Sequence, residues 1–335
     1  MKIAIHHREN SFSDKWIKYC EINNIDYKIV NAFDNNIIEQ LADCDALLWH
    51  HHQAHFKDVL VAKKVLAALE HANIKVFPDF KTGWHFDDKV AQKYLFEALN
   101  VPLVKSYVFY DKKDALAWAN STDYPKVFKL KGGACSANVK LVRTKADAYK
   151  LIKKAFGKGF SQFDARANFQ ERLSRFKSGK DNFLGILKGF YRLLITPAFS
   201  KLQPPERGYV YFQDFIPDNN FDIRVVVIGN KKAAAEKRFV RENDFRASGS
   251  GKFSYEGIDK DFISAAFHIS KKLEASAMAF DFVRAKNGQV LLIEASYGFG
   301  VDGIQNVPGF WDESLNWIED KFLPEEEIIK YILND

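Results

Sequence analysis

Lys129 closes a strand-like run, PKVFKL, and Gly132-Gly133 follow it closely. A lysine beside a glycine turn signals phosphate, because glycine lets the backbone approach an anion and the ammonium offsets its charge. The P-loop spacing is missing, and ACSANVKLV leads back into a strand instead of opening a helix. A second lysine, Lys89, opens a helical stretch after Asp87-Asp88. Much later, Asp281 stands between Phe280 and Phe282, and Glu294 follows the apolar run VLLI. Alternation puts Asp281 on the face opposite both rings. Two carboxylates on adjacent strands can hold a hard cation through oxygen. Taken singly, such residues are ordinary surface groups. Together they describe a clamp for a Mg²⁺-bound nucleotide, with the glycine stretch lying as a lid over a sheet.

The elements that must carry these residues follow from periodicity. Residues 2–5 read as a strand, FSDKWIKYCEINN as a helix with Phe12, Trp16, Ile17 and Cys20 on one face, and DYKIVNA as a second strand. A short helix, the strand DALLWHH, the amphipathic helix KDVLVAKKVLAALEHA and the strand IKVFP complete an alternating pattern. Strands alternating with helices argue a parallel, doubly wound sheet. No G-x-G-x-x-G follows its first strand, so a Rossmann dinucleotide site is not expected. The expected division is an α/β domain at 1–87, a small α+β lobe at 88–160, a basic helical arm at 161–207 and a strand-rich lobe at 208–335. Gly229-Asn230 and Asn287-Gly288 mark two hairpins in the last of these.

Net charge is +6, which suits an anionic ligand as well as it suits nucleic acid and decides neither. The three cysteines, Cys20, Cys44 and Cys135, are scattered and odd in number, which reads as free thiols in a reducing compartment. No signal-peptide pattern opens the chain and no apolar run is long enough to span a bilayer, so a cytoplasmic protein is expected.

Four segments in order resemble the ATP-grasp superfamily: DDKVAQKYLFEALNVPLVKSYVF, PKVFKLKGGACSANVKLV, YFQDFIPDNNFDIRVVVIGNKKAAAEKRFVRENDFR and FDFVRAKNGQVLLIEAS. The third is similar to the ribosomal-protein glutamate ligase and glutathione synthetase branch. The resemblance implies an N-terminal pre-ATP-grasp domain before a two-lobed ATP-grasp domain. It implies that Lys89 and Lys129 meet the α and β phosphates, and that Gln213, Asp214, Phe215 and Ile216 read adenine. Asp222 falls where that branch places a ribose-binding acid. Arg238 and Arg246 match arginines near the transferred phosphate and the acyl substrate, and Arg224 matches a supporting arginine. Asp281 and Glu294 match the metal carboxylates, with Ser296 where the family usually has Asn. ATP and Mg²⁺, in two ions and replaceable by Mn²⁺, are the implied cofactors.

The implied chemistry is ligation of a small carboxylate to an amine through an acylphosphate. WHHHQAH, FDDKVAQKYL and EASYGFG lean toward ligases that attach amino acids to sugars or sugar nucleotides of bacterial surface polysaccharides. A kinase acting on a hydroxyl and a nucleotide-binding regulator without turnover are the alternatives. No nucleic-acid partner and no membrane span are expected, and a homo-oligomer is left open. The histidines at 50–55 read as a zinc cluster, as a substrate loop at the end of the third strand, or as a plain surface loop. The basic arm reads as a solvated helix pair, a cover, an anion grip or an oligomer interface. YGFGVDGIQNVPGFWD is expected to close over substrate, against core packing.

Overall fold

A computed structural model of the chain describes residues 1–132, 138–161, 182–195, 204–241, 244–247 and 251–334, with positions 165, 169, 172, 173, 176, 202 and 249. The glycine stretch at 133–137, Cys135 and the arm tip at 178–180 lie outside the described residues. The chain divides into two units, one of Met1–Val104 with Ile216–Asp335 and one of Lys105–Phe215.

The first unit opens with β1 (Ile3–His6), α1 (Phe12–Ile22), β2 (Tyr27–Val30), α2 (Ile37–Gln40), β3 (Ala46–Leu48), α3 (Phe56–His71) and β4 (Lys75–Phe77). The four strands are parallel in the order β2-β1-β3-β4. Both faces are covered, as parallel sheets require. Ile3 and Ile5 share a core with Trp16 and Cys20, while Ala4 packs with Leu47, Trp49 and Leu66 on the other side. The doubly wound expectation therefore holds. Two short helical segments follow, α4 (Phe80–Gly83) and α5 (Lys89–Ala98).

The second unit holds β5 (Ser106–Phe109), α6 (Lys112–Ser121), β6 (Lys126–Lys129), β7 (Lys140–Val142), α7 (Lys145–Ala155), α8 (Phe183–Leu194) and β8 (Val210–Asp214). Its antiparallel sheet runs β5-β8-β6-β7. Strands β6 and β7 do flank the glycine stretch, paired from Lys126↔Val142. One face is a core centred on Trp118, whose ring lies 4.9 Å from Tyr107 and 4.9 Å from Phe212. The unit's two ends meet: Asp214 donates its backbone N–H to the Lys105 carbonyl at 2.9 Å.

The first unit resumes with β9 (Phe221–Ile228), β10 (Lys232–Phe239), β11 (Phe253–Ser254), α9 (Lys260–Leu273), β12 (Ala277–Arg284) and β13 (Val290–Ser296). A 3₁₀ turn at Ile304–Asn306, β14 (Phe310–Asp312), β15 (Trp317–Ile318) and α10 (Pro324–Asn334) complete it. The sheet order is β13-β12-β9-β10-β14-β15, with β11 on β10. Both expected hairpins form. In the first, Gly229 and Asn230 take positive φ of 58° and 55°. In the second, the connection spans Ala285–Gln289, and of the Asn-Gly pair Gly288 is the one with positive φ, at 86°.

One expectation fails. The segment after β13 is expected to close over substrate, yet Tyr297, Phe299, Ile304, Val307 and Phe310 are buried core residues. Large aromatic and aliphatic side chains gain more by leaving water than a lid needs. Among the described residues no helix is long and apolar enough to cross a membrane.

Candidate active site

Register places charge in rows across the antiparallel sheet. Glu236 faces Arg224, Arg224 faces Asp281, and Asp281 faces Glu294, from β10 through β9 and β12 to β13. One row along, Arg238 faces Asp222. Because side chains repeat every two residues, both rows share one face. Phe280 and Phe282 point the other way, where the Phe282 ring lies 6.1 Å from Phe262 of α9. The strand is irregular just after Asp281, where the pairing register shifts.

The rows are bonded. Arg238 donates from Nε and Nη2 to Asp222, each at 2.7 Å, and its Nη2 also lies 2.7 Å from Oδ2 of Asp281. Arg224 donates to both Asp281 oxygens, at 2.8 and 3.0 Å. Asp222, Arg238 and Asp281 are all buried. Burial works to raise the Asp281 carboxyl, but two guanidiniums outweigh it and hold it well below the usual carboxylate range. Asp222 has one arginine in contact, and there burial wins and pushes its carboxyl upward. Arg238 keeps its proton: burial is overcome by Asp281 and Asp222 together.

Glu236 was not expected from the sequence. It is buried, and its Oε2 has no hydrogen-bond partner among the described residues. Burial pushes its carboxyl up to about 7, against the pull of Arg224 and Arg238. The Gly303 backbone packs so closely on Oε2 that a Cβ there has no room. The available signal was parity: Glu236 and Arg238 alternate along β10 as Asp222 and Arg224 do along β9.

Lys89 reaches this face from α5. Asp88 caps the helix, accepting from the N–H groups of Val90 and Ala91 at 3.1 and 2.9 Å. One turn on, Gln92 is stapled to β13: its Nε2 donates to the Ala295 carbonyl at 2.6 Å and its Oε1 accepts from the Ala295 N–H at 3.2 Å. That staple sets Lys89 Nζ 3.7 Å from Oε2 of Glu294. Glu294 is partly exposed, unlike Asp281.

In the second unit Lys129 is buried and donates to Oε1 of Gln213 at 2.7 Å. Gln213 in turn donates to the Ser106 hydroxyl at 3.1 Å. Asp214 points to the opposite face and pairs with Lys126 at 2.7 Å. Phe215 and Ile216 form the chain crossing between the two units. Arg246 lies on the connection after β10, where its guanidinium clasps Asp244, with Nη2 2.6 Å from Oδ2. The contacts described thus tie Arg246 to Asp244, whereas Asp222, Arg224, Arg238 and Asp281 form one network.

The donor chemistry fits a hard dication. Oδ2 of Asp281 takes two arginine donors and Oδ1 takes Arg224 Nε. Lone pairs remain on Oδ1, on the facing Glu294 carboxylate and on Ser296, two residues along β13. Among the described residues no group of three or more His, Cys, Asp or Glu is assembled for a metal. In the histidine loop His51 is buried between the Phe86 and Tyr297 rings, 5.3 and 5.0 Å away, and His55 meets Asp58 at 3.0 Å.

The fold is shared with solved ATP-grasp structures. Over 100% of this chain and 99% of the other, a D-cycloserine synthetase superposes with TM-score 0.61 at 12% identity. A RimK domain ATP-grasp protein from Sphaerobacter thermophilus gives TM-score 0.56 at 16% identity, over 88% and 90% of the two chains. Residues 206–309 match the RimK-like ATP-grasp domain. A probable alpha-L-glutamate ligase of Vibrio atlanticus is 31% identical over 106 residues, 31% of this chain and 35% of that one. The ribosomal protein bS6–L-glutamate ligase of Escherichia coli is 28% identical over 117 residues, 33% and 39% of the two chains. The chain thus spans roughly a third of the length of the curated relatives it matches. Asp222, Arg224, Glu236, Arg238, Asp281 and Glu294 all fall inside the matched segment, while Lys89 and Lys129 lie outside it.

Proposed function

We propose that this protein is an ATP-dependent carboxylate–amine ligase. The observation that carries the reading is the bonded network of Asp222, Arg238, Asp281 and Arg224, with Glu294 facing Asp281, inside the RimK-like segment. Relatives named as glutamate ligases support the reaction class.

In the proposed reaction a substrate carboxylate oxygen attacks the γ-phosphorus and the bond to ADP breaks, giving an acylphosphate. An amine nitrogen then attacks the acyl carbon, phosphate departs with its bonding electrons, and the nitrogen loses a proton. Asp281, Glu294 and Ser296 would hold Mg²⁺, which would supply charge neutralisation on the phosphates. The protein positions groups and offsets charge, as phosphoryl transfer demands. Lys89 and Lys129 take α and β phosphates, and the segment from Gln213 through Asp214 and Phe215 to Ile216 takes adenine, largely through backbone groups at Phe215 and Ile216. Asp222 takes the ribose, and Arg238 and Arg246 take the migrating phosphoryl group and acyl substrate. Arg224 keeps Asp281 oriented and anionic.

For the finer substrate class we favour an amino acid joined to a sugar or sugar nucleotide, in surface-polysaccharide synthesis. ADP release measured over a panel of carboxylates and amines, with mass spectrometry of products, tests both levels. An amide plus free phosphate supports the ligase. A stable phosphate ester identifies a kinase, and tight Mg-ATP binding with no ADP release on any pair identifies a regulator.

A further inference from the structure

The helix α8 is turned inside out. Its buried positions are Gly185 and Gly189, while Phe183, Leu184, Leu187, Phe190 and Tyr191 are 49–62% exposed. The glycines are needed where they stand. Arg172 donates to the Gly185 carbonyl at 3.4 Å, and a Cβ on Gly189 would come within 2.9 Å of the Arg172 side chain. Asn182 caps the helix through the Gly185 N–H at 3.1 Å, so its start is defined. At about 100° per residue the five exposed apolar side chains fall within one continuous arc. Lys188 and Arg192, one turn apart, border that arc.

Charge sets the partner. Residues 161–207 carry nine Lys and Arg against four Asp and Glu, five of the chain's six net positive charges. A second copy of this face would oppose like charge to like charge. An apolar ligand pocket would not need Lys188 and Arg192 beside it. A surface that is anionic at its rim and apolar just beneath satisfies both features. We propose that α8 lies in the plane of an anionic lipid surface, with Phe183, Leu187 and Phe190 entering the headgroup–acyl boundary and Lys188 and Arg192 meeting the phosphates. This is the geometry of an interfacial amphipathic helix, not of a membrane span.

Co-sedimentation of the full chain with lipid vesicles tests this without nucleotide or turnover, so its outcome is independent of the ligase reading. Binding to vesicles with about 30 mol % phosphatidylglycerol is expected to exceed binding to pure phosphatidylcholine by at least about tenfold, and to weaken in high salt. The double variant Leu187→Glu, Phe190→Glu is expected to lose that binding while keeping the wild-type melting temperature. Lys188→Ala with Arg192→Ala is expected to lose mainly the preference for anionic lipid. Equal partition on both vesicle types, or unchanged binding by the glutamate variant, overturns the proposal. So does concentration-dependent dimerisation in sedimentation velocity that the glutamate variant abolishes, since that assigns the face to a second copy.

Discussion

Arg238 grips Asp222 with two parallel hydrogen bonds of 2.7 Å, and the same guanidinium reaches Asp281. One buried cation therefore balances two buried carboxylates, which sit on neighbouring strands. Removing it leaves Asp222 buried without its guanidinium, while Asp281 keeps Arg224.

Arg238→Met is accordingly expected to destabilise the fold by roughly 3–5 kcal/mol, the cost of an uncompensated buried charge. Urea denaturation measures it. A loss below about 1 kcal/mol would mean the fork contributes little to the fold.

Lys129→Met should separate catalysis from folding. The lysine donates to Gln213, whose amide keeps its contact with Ser106, so a loss of about 1–2 kcal/mol is expected. If Lys129 meets phosphate, ATP-dependent turnover should fall by at least about a hundredfold. Near-normal turnover in a folded variant would remove the lysine from the nucleotide site.

The facing carboxylates should behave differently on neutralisation. Glu294 is partly exposed and Asp281 is buried between two arginines. Glu294→Gln is expected to leave the melting temperature unchanged and raise the Mg²⁺ concentration for half-maximal activity by about tenfold. Asp281→Asn is expected to lower both activity and stability. Titration with Mg²⁺, paired with thermal melts, distinguishes the two.

Acid should loosen the first unit through its histidines. Burial lowers His51 from 6.5 to about 3 and His85 from 6.5 to about 4. The unfolded chain takes up these protons first, so stability present above pH 6.5 is lost as pH falls below it. His51→Phe, placed among aromatic neighbours, is expected to flatten the decline measured by denaturation at pH 6.5, 5.5 and 4.5. An unchanged slope would exonerate this imidazole.

Glu236 imposes the opposite slope. Its carboxyl is raised by burial from 4.5 to about 7, so the folded chain holds a proton that the unfolded chain has released. The stability this confers is complete below pH 4.5 and disappears as pH rises through 7. Glu236→Gln should remove a pH-dependent component on the order of 3 kcal/mol. Denaturation midpoints at pH 5 and pH 8 check it: the gap should narrow in the variant.

Much of this was readable in residue order. Asp281 between two phenylalanines announces a carboxylate facing away from a core, and Asn287-Gly288 announces its hairpin. Lys89 after a capping aspartate announces a helix start. What alternation cannot give is the partner across the sheet. It assigns Glu236, Asp222 and Arg224 to faces, while only the register of β10 on β9 and β9 on β12 makes them a network. Gln92 was overlooked for the same reason, since an amide on a helix says nothing of the strand it staples. The segment from Tyr297 to Phe310 misled because glycines among aromatics suit a lid and a tightly packed core equally well.

The backbone bond between Asp214 and Lys105 has a practical corollary. It joins the first and last strands of an uninterrupted segment, residues 105–215, so both ends leave from the same place on one sheet. Such a segment is suited to excision as a cassette, or to exchange with the equivalent piece of a relative. The remaining chain can then be closed by a short graft where the two cuts were made.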